Sequence, residues 1–174
     1  MNSKPLVSVI ITTYNRENLI SREIKSVLSQ NYPNTEIIVV DDCSTDNTQK
    51  IIKNKYKDKI KYIRHEKNKG VQFASNTGYE YSKGKYLAFI GDDDEWTDTN
   101  KLNKQVEVFE NDLNKKYGVV TSSVKIVRPD KKFEKIIKKP SNLLKHLLVR
   151  NGIIYGSAAL LRREAFEVAG KFAE

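Results

Sequence analysis

The chain has 174 residues, of which 39% are hydrophobic and 30% charged, and its formal net charge is +9. This composition is ordinary for a soluble globular protein with a single domain over residues 1–174, and its apolar runs are too short to cross a bilayer. The first residues hold no signal-peptide pattern and Cys43 has no partner for an internal disulfide, which together predict a cytoplasmic protein.

The first half of the chain alternates strand and helix patterns. Short apolar runs rich in β-branched residues predict strands at residues 7–11, 36–40, 60–63 and 86–90. Apolar residues at helical spacing predict helices, first at Ile20, Ile24, Val27 and Leu28 and later at Val71, Ala74, Gly78 and Tyr81. Asn15 is predicted to cap the first helix, Asp46 with Gln49 to form a capping box for the second, and Gly84 to end the third.

The second half is less regular. Residues Leu102, Val106, Phe109 and Leu113 predict an amphipathic helix, and residues 118–127 predict a fifth strand. Further elements are predicted as strands at 136–137 and 157–161, a helix at 143–148, and a short helix at 165–169 ended by Gly170. The whole pattern predicts an α/β fold with a mainly parallel central sheet and helices on both faces.

The positive charge is concentrated in two stretches. Residues 50–69 and residues 125–150 each hold nine Lys or Arg against two acids, so the remainder of the chain is acidic. A solvated surface is the ordinary interpretation of such lysines. The alternative is attraction to an anionic partner, either a phosphorylated substrate or membrane headgroups.

Acidic residues follow two of the predicted strands. In an open parallel sheet, ligands bind beyond the carboxyl ends of the strands, which selects residues 12–15, 41–44 and 91–95. Clustered carboxylates repel one another unless a cation joins them, and Mg²⁺ typically takes one or two carboxylates beside substrate phosphates. The pattern therefore predicts a site for a metal-bound diphosphate, with turn or cap residues as the alternative for Asp41 and Asp42.

Several conspicuous side chains are predicted to be structural. Asp98 is expected to cap a helix, Trp96 to pack beneath the metal-binding loop, and Cys43 to fill a turn. His65 and His146 lack a pattern such as HExxH, and Tyr14 is open between stacking on a base and packing. The chain contains neither GxGxxG after its first strand nor a P-loop, which argues against dinucleotide-binding and NTPase functions.

The motifs together resemble those of family 2 glycosyltransferases, an inverting group with the GT-A (Rossmann-like) fold. In chain order they are a strand with a T-Y-N loop at residues 7–15, D-D-x-S at 41–44, N-x-G-x-x-x-A-x-N-x-G at 68–78, the aspartates at 92–94, G-S-x-x-x-x-R-R at 156–163 and G-x-F at 170–172. Each motif is weak alone, whereas their order and spacing span nearly the whole chain.

The resemblance implies roles for individual residues. Thr12, Tyr14, Asn15 and Asp42 would hold the nucleoside of a nucleotide sugar, with Asp42 accepting a hydrogen bond from uracil or another base. Asp92 would lie against the ribose or the diphosphate. The metal, Mn²⁺ or Mg²⁺, would be held mainly by Asp93 and supported by Asp94.

The resemblance also implies partners. A UDP-sugar would be the donor and a glycan or lipid-linked molecule the acceptor, as in polysaccharide biosynthesis by a hexosyltransferase-type enzyme at the inner face of the membrane. Peripheral membrane contact would fit the basic stretches, and no nucleic acid is expected.

The chain departs from the family pattern in two places. The first aspartate of the usual D-x-D-D is Gly91 here, which changes the register of the ribose and metal contacts. The family's catalytic base belongs to an E-D motif beyond G-x-F, and the sequence ends at Glu174. The base is therefore expected beyond Glu174, in a donor-binding domain that is incomplete at its C-terminus.

Three alternatives remain open at this point. The chain could be a nucleotidyltransferase that makes nucleotide sugars, although residues 12–16 lack a Gly-rich, basic phosphate loop. It could be a nucleic-acid-binding module that uses the two basic stretches. It could also be a nucleotide-binding scaffold that has kept the fold without the chemistry.

Overall fold

A computed structural model of the chain describes residues 4–91, 93–128, 133–137 and 156–173. Its strands are β1 (Val7–Thr13), β2 (Thr35–Asp41), β3 (Lys61–Arg64), β4 (Tyr86–Gly91), β5 (Val119–Thr121), β6 (Val124–Arg128), β7 (Phe133–Ile137) and β8 (Ala159–Arg162). Its helices are α1 (Ile20–Leu28), α2 (Thr48–Tyr56), α3 (Val71–Glu80), α4 (Lys101–Asn111) and α5 (Arg163–Ala169). Asp92, Glu174, His146 and the helix predicted at residues 143–148 lie outside the described residues.

The central sheet has six strands in the order β3-β2-β1-β4-β8-β5. The first four run parallel, while β8 is antiparallel to both β4 and β5. Thr13 is paired with Asp41 and Thr12 with Gly91, so the carboxyl ends of β1, β2 and β4 lie together at one edge of the sheet. The mainly parallel sheet predicted from the sequence is confirmed.

Apolar residues on both faces of the sheet bury it between helices. On one face, Val9 and Ile11 belong to a large buried cluster with residues of α1, α2 and α4. On the other face, Ile38 and Val40 pack against Ala74 of α3. Because successive side chains of a strand point to opposite faces, a strand covered on both sides reads as a continuous apolar run.

The predicted caps of the first two helices are wrong. Helix α1 begins at Ile20, and Asn15 instead has a left-handed backbone with φ of 54°. Helix α2 has Asn47 as its N-cap, one residue later than a box between Asp46 and Gln49 requires. In both cases the side chain makes bonds between two loops, which outweigh the local capping preference.

Two predicted apolar helix faces extend too far. In α3, Ala74 and Gly78 are buried as predicted, but Val71 and Tyr81 are exposed. Leu113 is also exposed, because α4 has already ended at Asn111. Gly84 does not end α3, which stops at Glu80. It lies instead where a Cβ atom would be 2.5 Å from the Ser8 backbone nitrogen.

The strand predicted at residues 118–127 is two strands in different sheets. Strand β5 belongs to the central sheet, whereas β6 pairs with β7 in a separate antiparallel ribbon. Between them, the Ser122 amide donates to the Ala158 carbonyl in register with the β5–β8 pairing, which ends where the opposite chain forms a 3₁₀ turn. The predicted strand at 157–161 is a 3₁₀ turn at Gly156–Ala158 followed by β8, and Gly170 ends α5 as predicted.

Within the described ranges, every helix falls short of the length and apolarity that a membrane span requires.

Candidate functional site

The parallel strands bring the three selected loops to one edge of the sheet. Asp42 directly follows β2 and Asp93 follows β4, and these two strands flank β1. Since neighbouring strands lie about 4.8 Å apart, the two chain segments are separated by roughly 10 Å across the end of β1. The structure thus places Thr12, Asp42 and Asp93 around a common edge of the sheet.

The loops after β1 and β2 are bonded to each other. The Asn15 amide donates to Ser44 Oγ at 3.0 Å, and Asn15 Oδ1 accepts from the Thr45 amide at 2.8 Å. The Arg16 amide donates to Thr48 Oγ1 at 2.9 Å. These contacts join segments about thirty residues apart, so the loop that carries Tyr14 is held rigidly against the start of α2.

Asp42 is a buried carboxylate with a complete set of donors. Its side chain is in a residue only 4% exposed, and Oδ1 lies 2.7 Å from His65 Nδ1. The Lys69 amide donates to both carboxylate oxygens at 2.9 and 3.1 Å, and the Gly70 amide donates to Oδ2 at 2.7 Å. A carboxylate has about four acceptor positions, so these four contacts, two on each oxygen, occupy them.

His65 supports Asp42 from behind. Its ring is buried, with Nδ1 on Asp42 and Nε2 3.0 Å from Thr77 Oγ1 of α3. The prediction that His65 is structural is therefore confirmed. The whole chain of contacts fixes the loop before α3 to the end of β2.

Thr12 and Tyr14 lie at the end of β1. Thr12 is partly buried and paired with Gly91, and Thr13 Oγ1 is buried with no hydrogen-bond partner in the described ranges. Tyr14 is 41% exposed, so its side chain is not packed away in the core. An exposed aromatic ring at this edge has a face on which a base can stack.

The two described aspartates after β4 have different environments. Asp94 Oδ2 accepts a hydrogen bond from Ser157 Oγ. Asp93 is exposed, and its carboxylate makes no hydrogen bond or ion pair with the described residues. A Cβ atom at Gly91 would lie only 3.2 Å from Asp93 Oδ1, so the glycine leaves room for this carboxylate.

The donor set fits a divalent cation that a substrate completes. Among the described residues, which omit Asp92, no three His, Cys, Asp or Glu side chains form a metal cluster. Mg²⁺ is usually bound by one or two carboxylates together with substrate phosphates, without a full protein cage. Asp93 and Asp94 supply that partial set of oxygen ligands, and Cys and His are absent from it.

Trp96 packs beneath the loop after β4, as predicted. Its indole Nε1 donates to the Ser157 carbonyl at 2.7 Å, and Lys101 Nζ lies 4.1 Å from the ring centroid. Lys101 is itself buried and donates to Gln105 Oε1 at 2.8 Å. Burial lowers the pKa of Lys101 from 10.5 to about 7.

This shifted pKa predicts a pH dependence of stability. Between about pH 7 and pH 10.5 the unfolded chain binds a proton at Lys101 that the folded chain has lost, so stability rises with pH. The slope from one group is at most about 1.4 kcal/mol per pH unit. We expect Lys101→Met to remove this slope in urea unfolding measured from pH 6 to pH 9. Parallel pH profiles for the two proteins would contradict the assignment.

Asp98 closes the turn before α4, but the predicted capping role is wrong, because the N-cap of α4 is Asn100. Its Oδ1 accepts from the Asn100 amide at 2.9 Å and Oδ2 from Lys104 at 2.7 Å. Cys43 fills its turn with φ of 72°, and its Sγ donates to the Glu66 carbonyl at 3.3 Å.

The adjacent arginines near the C-terminal end bind main-chain carbonyls. Arg162 is buried and donates to the carbonyls of Phe109 and Tyr117, both at 3.1 Å, and to Asp112 at 3.2 Å. Arg163 donates to the Gly84 carbonyl at 2.7 Å. Both guanidinium groups therefore join β8 and α5 to the rest of the fold.

Sequence reasoning missed the residues that hold the loop after β4. They are Arg22, Ser26 and Gln30, which follow one another at four-residue spacing in and just after α1, and Ser157. The regular spacing of three polar residues beside a buried apolar face was an available signal for the first three. Ser157 gave no signal, because its partner is 63 residues away in sequence.

Comparison with protein families and curated proteins gives a consistent result. The family model described as glycosyl transferase family 2 matches residues 8–170. The putative teichuronic acid biosynthesis glycosyltransferase TuaG of Bacillus subtilis is 35% identical over 166 residues, which cover 94% of this chain and 64% of TuaG. WfgD of Escherichia coli, a UDP-Glc:alpha-D-GlcNAc-diphosphoundecaprenol beta-1,3-glucosyltransferase, is 40% identical over 114 residues, which cover 65% of this chain and 45% of WfgD. The chain thus spans about half to two thirds of the length of these relatives.

Solved structures show the same fold. The mannosyltransferase PcManGT from Pyrobaculum calidifontis, in complex with GDP-Man and Mn²⁺, matches with a TM-score of 0.73 at 22% identity. The match covers 98% of this chain and 48% of the PcManGT chain. S. aureus TarS 1-349 in complex with UDP matches with a TM-score of 0.71 at 25% identity. The match covers 90% of this chain and 46% of the TarS chain. The GT-A fold predicted from the sequence is confirmed.

Proposed function

The chain belongs to glycosyl transferase family 2, and from that premise we propose that it binds a nucleoside-diphosphate sugar whose sugar is transferred to an acceptor hydroxyl. One observation carries the proposal: Asp42 and Asp93 flank the end of β1 at the edge where parallel α/β sheets bind ligands. We further propose that residues 1–174 form a single donor-binding domain.

The nucleoside is proposed to lie over the end of β1. Thr12, Asn15 and Asp42 surround this position, and the exposed ring of Tyr14 offers a stacking surface. The bonds between the loops after β1 and β2 hold these residues before any ligand arrives, so little ordering entropy is lost on binding. Asp92 is proposed to contact the ribose or the diphosphate.

We propose uracil as the base, with its ring beside Asp42. Four contacts from His65, Lys69 and Gly70 hold this carboxylate in place at the end of β2. TarS, a structural neighbour, has been crystallised with UDP and with UDP-GlcNAc.

A divalent cation, Mn²⁺ or Mg²⁺, is proposed to be held by Asp93 with Asp94 in support. The neighbour PcManGT has been solved with Mn²⁺ beside its nucleotide sugar. When bound, the cation supplies Lewis acidity that stabilises the charge developing on the departing diphosphate.

The described residues supply binding and orientation. Holding the donor at the strand ends places its anomeric carbon toward the open side of the sheet edge, where an acceptor hydroxyl can approach. We propose that the hydroxyl attacks opposite the departing diphosphate, which inverts the configuration. The hydroxyl proton passes to a general base, and such a base is typically worth about 10² to 10⁴ in rate.

A thermal-shift comparison tests the choice of donor. UDP with Mn²⁺ is expected to raise the melting temperature more than GDP with Mn²⁺, because uracil is the proposed base. A ligand present at about 100 times its Kd adds about 2.7 kcal/mol of stability. EDTA is expected to remove most of the UDP effect. Equal shifts for the two nucleotides would overturn the proposed preference for uracil.

The acceptor is proposed to be a glycan or lipid-linked glycan, met at the cytoplasmic face of a membrane. The full name of the relative WfgD specifies a diphosphoundecaprenol-linked substrate. All nine basic residues of positions 50–69 are exposed along α2, β3 and the following loop. Within the part of the chain that the structure describes, Arg64 alone of these forms an ion pair, at 3.9 Å from Asp41. Flotation with anionic vesicles at low and high salt would test this contact, and equal binding to neutral vesicles would contradict it.

A further inference from the structure

The segment from residue 93 to residue 100, here called the β4–α4 loop, contains no helix or strand. It nevertheless carries Asp93, whose carboxylate must keep a fixed position if it is to ligate a cation. Backbone bonds hold the two ends of the loop: the Asp94 amide donates to the Gly91 carbonyl at 3.2 Å, and the Asn31 amide donates to the Thr99 carbonyl at 2.8 Å. Side-chain contacts with neighbouring elements add further fixed points.

Helix α1, together with Gln30 just after its end, contacts this loop through polar side chains. Polar side chains four residues apart lie on one face of a helix, so a single face meets several points of the loop. The contacts join Arg22 Nη2 to the Asp93 carbonyl (3.1 Å), the Trp96 amide to Ser26 Oγ (3.2 Å), Gln30 Nε2 to the Asp98 carbonyl (2.9 Å) and the Leu102 amide to Gln30 Oε1 (3.2 Å). Three of the four bonds reach the main chain of the loop itself and the fourth reaches the first turn of α4.

Ser157 bonds the same loop at two further points. Its hydroxyl donates to the Asp94 carboxylate, and its carbonyl accepts from Trp96 Nε1 at 2.7 Å. The next residue is also anchored, because Gln105 Nε2 donates to the Ala158 carbonyl at 2.8 Å. Ser157 is thus a rigid support that binds both an acidic side chain and the buried indole of the same loop.

These contacts give the two adjacent carboxylates, Asp93 and Asp94, different environments. Asp94 has a hydroxyl donor, whereas the Asp93 carboxylate has no partner among the described residues. Fixing Asp94 and Trp96 holds the main chain that follows Asp93 and so limits where its carboxylate can lie. We infer that Ser157 is a positioning residue for the proposed metal site: it fixes Asp94 and so orients Asp93 toward the cation. This inference rests on the proposed function.

Ser157→Ala tests the inference without adding bulk. Loss of a group that orients a metal ligand commonly costs about 10-fold to 100-fold in metal affinity or activity. We expect UDP affinity in the presence of Mn²⁺, measured by calorimetry, to fall by roughly 10-fold. UDP affinity in EDTA and the melting temperature of the free protein should stay unchanged. Ser157→Thr, which keeps the hydroxyl, should restore the Mn²⁺-dependent affinity.

Ser122→Ala is the matched control. Its hydroxyl also bonds the 3₁₀ turn, donating to the Ala158 carbonyl at 3.3 Å, but it does not touch the β4–α4 loop. It should leave Mn²⁺-dependent UDP binding unchanged.

Two results would overturn the positioning role. One is Mn²⁺-dependent binding that Ser157→Ala leaves intact while Asp93→Ala abolishes it, in which case the proposed function stands without the inference. The other is an equal loss of UDP affinity with and without Mn²⁺ in Ser157→Ala, accompanied by a lower melting temperature, which marks a purely structural contact. If Asp93→Ala leaves Mn²⁺-dependent binding intact, the proposed function itself fails.

Discussion

Asp93→Ala is expected to lower Mn²⁺-dependent UDP affinity by at least about 100-fold, the upper end of what loss of a supporting residue costs. The physical reason is that Asp93 is the described carboxylate at this edge without a protein partner, so its oxygens are available to the cation. Stability should change by no more than about 0.5 kcal/mol, because the side chain is exposed. Calorimetry with and without Mn²⁺, together with thermal unfolding, measures both effects.

Glu95→Ala is the matched control for charge. Glu95 is two residues further along the same loop, is exposed, and contacts Arg22 at 3.7 Å. Removing it takes away the same charge without removing a proposed ligand, so UDP affinity should change by less than about threefold, the scale of an exposed ion pair. Equal losses in the two variants would mean that general negative charge, and not ligation by Asp93, favours the metal.

Arg162→Met is expected to destabilise the fold by about 3 to 5 kcal/mol, because it removes the guanidinium from a buried set of acceptors. Those acceptors are the carbonyls of Phe109 and Tyr117 and the Asp112 carboxylate. Met fills a similar volume, so the loss reports on the bonds rather than on a cavity. Urea unfolding measures the change in the free energy of unfolding.

Arg163→Met provides the comparison for this stability effect. Arg163 is half-buried and bonds the Gly84 carbonyl and Ser82 Oγ, both at 2.7 Å. We expect its loss to cost about 1 to 2 kcal/mol. If Arg162→Met instead kept full stability and lost UDP affinity, Arg162 and Arg163 would belong to the binding site for the diphosphate. Their assigned structural role would then be wrong.

The strand pattern and the site edge were predictable from the sequence. A sheet covered on both faces requires continuous apolar strands, and residues 7–11 and 36–40 have that character. Once the strands are parallel, their carboxyl ends must meet, which brings the neighbourhoods of Asp42 and Asp93 together without any knowledge of side-chain packing. The roles of Thr12, Tyr14, Asn15, Asp42, Asp92, Asp93 and Asp94 as ligands remain predictions.

The errors came from bonds between distant segments. Asn15 is a residue type that often caps helices. Its side chain instead accepts from the Thr45 amide, and its backbone is in the left-handed region. The strand predicted at 118–127 is interrupted because the chain opposite Ser122 forms the 3₁₀ turn at Gly156–Ala158, which ends the ladder between β5 and β8. No local pattern encodes such partners, since each depends on a residue at least thirty positions away.

The departure at Gly91 has a physical explanation in the structure. Where the family pattern has an aspartate, this chain has no Cβ, and the Asp93 carboxylate lies close to the vacant position. A side chain at residue 91 would lie 3.2 Å from Asp93 Oδ1 at its first carbon. The glycine therefore leaves room for the Asp93 side chain in the orientation that the structure shows.

Anomalous diffraction from a crystal of the protein grown with UDP and Mn²⁺ addresses the central claim most directly. We predict one manganese peak about 2.1 Å from an Asp93 oxygen, bridging to the UDP phosphates, with the uracil ring beside Asp42. A nucleotide bound away from the ends of β1 and β2, or a manganese ion beside UDP that does not touch Asp93, would contradict it.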